Sequence, residues 1–80
     1  MIKILVVEDD EYLNKSICIF LNQRGFETHS CFNGDEAFDV LYKNNFDLII
    51  SDIMMPKVDG YKLAQNVRTQ NKTIPIIFMT

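Results

Sequence analysis

The chain has 80 residues, 48% of them hydrophobic and 24% charged, with a formal net charge of −3. That length holds one small domain whose core is only just sufficient, and so high an apolar content excludes a disordered tail. The acidic balance argues against a nucleic-acid grip, whose usual footprint is a basic face, and no apolar run approaches the ~20 residues of a membrane helix.

Ile2 to Val7 is a continuous β-branched and Leu run, the pattern of a strand covered on both faces. It is apolar but only strand-length, without a cationic start and a long apolar stretch, so it does not read as a signal peptide. The acidic run Glu8–Asp9–Asp10–Glu11 ends it. A helix is predicted over Tyr12 to Arg24, with Leu13, Ile17, Phe20 and Leu21 as one apolar stripe. Asp10 suits its N-cap, and Gly25 stands where a left-handed glycine would stop it.

Phe26 to Cys31 reads as a short strand, Asn33-Gly34 as a turn, and Asp35 to Lys43 as a second helix with Ala37, Phe38 and Leu41 inward. Asn44-Asn45 breaks it. Phe46 to Ser51 is the third strand, closed by Asp52. After Asp59-Gly60 a third helix is predicted over Tyr61 to Gln70, carried by Leu63, Ala64 and Val67. "IPIIFMT", from Ile74 to Thr80, is the fourth strand, with Pro75 tolerated at its start. The order β-α-β-α-β-α-β predicts an α/β fold, a doubly wound parallel sheet with right-handed crossovers. The abrupt apolar end at Met79-Thr80 reads as a domain lacking its remaining elements.

Two strands of this order end in acid, the first in Glu8-Asp9-Asp10 and the third in Asp52. In doubly wound sheets ligands bind at the C-terminal strand ends, where the order reverses. If these strands are neighbours, their carboxylates converge. Crowded like charges are relieved by protonation or by a cation, and oxygen-only donors favour a hard ion such as Mg²⁺. Each piece alone has a plainer reading: a helix-capping acidic turn, an Asx turn at Asp52, a β-prone Thr80 at a strand end. Asp10 and Glu11 are better explained by the helix N-terminus. His29 has no acidic partner at metal-ligand spacing and reads as a surface or half-buried strand residue. Cys18 reads as core. With Cys31 it forms a pair of reduced thiols, as expected in the cytoplasm.

Taken together, "ILVVEDD", "NGDEAF", "DLIISDIMMPKVDGYKL" and "IPIIFMT" resemble the receiver domain of two-component response regulators across the whole chain. The resemblance implies a flavodoxin-like sheet of order 2-1-3-4-5, with this chain as the N-terminal part of it, residues 1–80. It implies that Asp52 is the phosphoacceptor, taking a phosphoryl group from a sensor histidine kinase. Glu8 and Asp9 would hold Mg²⁺ together with Asp52 and the backbone carbonyl of Met54. Thr80 would be the switch hydroxyl, and Pro56 and Gly60 would shape the loop after the acceptor.

The resemblance also implies a cytoplasmic phosphoprotein of transcription regulation. Such a protein is not an enzyme on separate substrates, though it assists its own phosphorylation and dephosphorylation. DNA would be reached only through a domain not in this chain. The lysine of a fifth strand, the aromatic switch residue and the output face lie beyond it. The apolar edge "IIFM" is therefore expected to promote self-association. The alternative is a truncated or pseudo-receiver interaction module without phosphotransfer. A flavodoxin-like cofactor binder lacks its Gly/Ser/Thr-rich phosphate cradle here. An aspartyl phosphatase lacks its Asp-x-Asp after the first strand.

Overall fold

The computed structural model describes residues 1–52 and 74–79. Within them lie β1 (Lys3–Val7), α1 (Glu11–Gln23), β2 (Glu27–Cys31), α2 (Gly34–Lys43), β3 (Leu48–Asp52) and β4 (Ile76–Met79). The third predicted helix, with Met54, Pro56 and Gly60, lies outside the described residues, as does Thr80. The strands form one parallel sheet of order β2-β1-β3-β4.

Alternation along the strands sends side chains to two faces. Leu5, Val7 and Ile49 pack with Ala37 and Leu41 of α2, and with Cys31 and Phe46. Ile4 and Val6 pack on the other face with Cys18 of α1. The helices thus cover opposite faces, as the alternating pattern requires.

The caps explain where the helices start and stop. Asp10, in extended conformation, accepts hydrogen bonds from the backbone N–H of Tyr12 (3.0 Å) and Leu13 (3.1 Å). Gly25 follows the end of α1 with φ of +89°, a left-handed conformation that side chains resist. Asn33 caps α2 by accepting from the Glu36 N–H (2.9 Å), so this residue opens a helix instead of a separate turn.

The predicted stripe of α1 is only partly right. Ile17 and Leu21 pack on the sheet, but Leu13 and Phe20 are 44% and 52% exposed. Asn14 and Cys18 occupy the face that looks down on the sheet. They are small, and Asn14 has polar partners there that an apolar side chain could not serve. Phe20 instead lies under the guanidinium of Arg24, 3.8 Å from its ring centre.

Candidate metal and phosphoacceptor site

β1 and β3 are hydrogen-bonded neighbours, with Val7 opposite Ser51. Their next residues, Glu8 and Asp52, therefore leave the same end of the sheet side by side. Carboxylate oxygens of Glu8, Asp9 and Asp52 come within 4.8 Å of one another. Glu8 is buried (3% exposed), Asp52 half-buried and Asp9 exposed, so the cluster opens outward through Asp9. β4 runs beside β3 with Met79 opposite Asp52, which is the neighbour relation expected for the strand ending at Thr80.

The loop that carries Glu8 and Asp9 is held at several points. The Glu8 N–H donates to the Cys31 carbonyl (3.0 Å). The Asp10 N–H donates to Glu8 Oε2 (3.0 Å), and the Asn14 N–H donates to the Asp10 carbonyl (2.9 Å). At the other strand end, the Ser51 hydroxyl donates to the Asp52 carbonyl (2.9 Å). Asp10 is thereby spent on capping α1, as the sequence suggested.

Burial pushes the Glu8 carboxyl above its ordinary range, and the neighbouring Asp9 and Asp52 carboxylates push it further. The Asp10 N–H works in the opposite direction. A group of carboxylates that raises the cost of its own ionisation is suited to a compensating cation. The donor set is oxygen-only, which fits a hard divalent ion such as Mg²⁺. Cys31 does not belong to this chemistry: burial, aided by Glu36, lifts its thiol to about 12. His29 is exposed on β2, edge-on to Phe46 at 6.1 Å.

One residue of this region escaped the sequence reading. Asn14 is 1% exposed and donates both amide hydrogens, to the carbonyls of Glu8 (3.0 Å) and Cys31 (2.9 Å). The available signal was a poor helix former within the first turns of an otherwise good helix.

Comparison with known proteins agrees with this geometry. The family model described as "Response regulator receiver domain" matches residues 4–80. Among curated relatives, the transcriptional regulatory protein RprY of Bacteroides fragilis is 43% identical over 79 residues, covering 99% of this chain and 34% of its own length. The regulatory protein VanRB of Enterococcus faecalis is 40% identical, with 99% and 36% covered. The chain thus spans about a third of the length of these relatives.

Among solved structures, the receiver domain of a Francisella response regulator superposes with a TM-score of 0.93 at 36% identity, covering 98% of this chain and 64% of that one. The response regulator TrrA of Thermotoga maritima, in complex with Mg(2+)-BeF, gives 0.92 at 35%, with 98% and 68% covered. Sheet order, acidic strand ends and these matches converge: the chain belongs to the response regulator receiver domain family of two-component signalling.

Proposed function

We propose that this receiver accepts a phosphoryl group on Asp52 from a sensor histidine kinase and passes the change to a transcriptional output. The observation that carries the proposal is the convergence of Glu8, Asp9 and Asp52 at the ends of adjacent parallel strands. Glu8, Asp9 and Asp52, with the backbone carbonyl of Met54, would hold Mg²⁺. When bound, that ion offsets repulsion between the carboxylate and the anionic donor and stabilises charge on the transferring group. The relative from Thermotoga maritima in complex with Mg(2+)-BeF supports this assignment.

An Asp52 carboxylate oxygen forms the new P–O bond as the P–N bond to the donor imidazole breaks, and the imidazole takes up a proton. The acyl phosphate places about −2 charge at the strand end. The Thr80 hydroxyl then turns toward it, a local change that biases the output surface. The chain acts in the cytoplasm, reaches DNA only through another domain, and by itself associates with a second copy through the β4 edge.

The test is incubation of the full-length protein with Mg²⁺ and acetyl phosphate, followed by intact mass measurement. One added phosphoryl group is expected, and none in Asp52→Asn. No gain in the wild type overturns phosphotransfer. A gain that survives Asp52→Asn overturns the acceptor assignment.

A further inference from the structure

Three residues, Glu8 to Asp10, connect β1 to α1, and two of them carry the proposed metal ligands. Glu8 is fastened inside that turn by its side chain, which accepts from the Asp10 N–H, and outside it by its N–H, which donates to Cys31. Its carbonyl needs a third partner, because it lies just past the last β1–β2 register pair, Val7 opposite Cys31. A buried carbonyl without one is costly.

Asn14 supplies that partner. Its amide bridges the Glu8 and Cys31 carbonyls, and its Oδ1 accepts from the Cys18 thiol at 3.5 Å. The Cys18 sulfur also lies 3.2 Å from the Ser30 hydroxyl. No buried side-chain polar atom among the described residues is left without a partner. A planar carboxamide with two donors about one turn into the helix matches two carbonyls at adjacent strand ends. A hydroxyl offers one donor, and an apolar side chain offers none.

We propose that Asn14 is a positioning residue for the metal site: by clamping the ends of β1 and β2 to α1, it fixes the backbone from which Glu8 and Asp9 face Asp52. This rests on the reading of that cluster as a Mg²⁺ site. It acts through Glu8 and touches none of the reacting atoms. Outer-shell groups that orient ligands in this way typically change metal affinity by about 10- to 100-fold when removed.

The test uses the full-length protein and Mg²⁺ alone, titrated by calorimetry, with amide hydrogen exchange as a second readout. Asn14→Leu keeps the volume and removes both donors, and is expected to weaken Mg²⁺ binding about tenfold. It should also speed exchange at the Glu8 and Asp10 amides. Leu41→Ala destabilises the opposite face without touching Glu8, and should leave the affinity unchanged. Asn14→Gln keeps the donors on a longer arm and should recover part of the loss.

Equal losses in Asn14→Leu and Leu41→Ala, or wild-type binding in Asn14→Leu, overturn the proposal. If Asn14→Leu does not fold, Asn14→Gln is read against wild type in the same two assays, and no change in either overturns it. If the wild type itself binds no Mg²⁺, the metal reading fails. The clamp is then judged by exchange, where unaltered Glu8 and Asp10 amides overturn it.

Discussion

Glu8 shows most clearly how one side chain can cost the fold something. It is buried, yet it sits where two other carboxylates converge. Its carboxyl is raised from 4.5 in the folded chain, first by burial and then by its acidic neighbours. Between 4.5 and that raised value the folded state keeps a proton that the unfolded state has released. Stability therefore falls as pH climbs through this window, and above it the full cost of ionising Glu8 remains. In buffer with a chelator, Glu8→Gln should melt at a higher temperature than wild type at pH 7, and its stability should fall less steeply over the window. Thermal melts across pH check this, and a lower melting temperature at pH 7 would contradict it. The carboxylates were legible because they interrupt apolar strands at equivalent ends. Asn14 was not, since its value depends on two carbonyls that no one-dimensional pattern displays.

The four strands and two helices among the described residues were legible through periodicity and punctuation, with bounds shifted by one or two residues. Asp10 and Gly25 bracket α1 as their chemistry suggests, one satisfying the orphan N–H groups and the other turning the chain. Gly25 gives a clean test of the second role. A Cβ built there meets nothing within 4 Å, so any cost of Gly25→Ala comes from backbone conformation and not from a clash. At φ of +89° that cost should be about 1–2 kcal/mol. It should appear in denaturant unfolding as a lower midpoint with an unchanged slope. The misread part of α1 has a physical reason as well. Helical spacing marks which residues share a face, but the packed face is chosen by what lies beneath it. Here the strand-end carbonyls recruited Asn14, and the close approach suited Cys18, so Leu13 and Phe20 were turned outward.

Among the described residues, the two faces of the sheet are unequally covered. The α2 face buries Leu5, Val7, Cys31, Ala37, Leu41, Phe46 and Ile49 in one cluster, whereas the described residues buried on the α1 face are Ile4, Val6 and Cys18. Beside α1 an apolar groove of about 440 Å³ runs between Ile17, Phe20 and Leu21 of the helix and Ile50, Ile77 and Met79 of the sheet. β4 is the last strand on that side among the described residues, and Ile77 is 52% exposed. The sequence showed that "IIFM" was apolar, but not that alternation directs Ile77 and Met79 into this groove while Ile76 packs toward α2. An apolar groove next to a strand edge is a template for pairing, and a second copy brings a matching apolar groove and a matching edge. The 80-residue chain produced alone should therefore show concentration-dependent dimers in sedimentation velocity. Ile77→Lys places a charge in the groove at a half-exposed position, where the effect on folding should stay within about 0.5–1 kcal/mol. It should shift the chain to monomer at concentrations where wild type pairs. A wild-type chain that stays monomeric at high concentration would show that the groove and edge are tolerated in water, and a dimer that survives Ile77→Lys would place the contact elsewhere on the molecule.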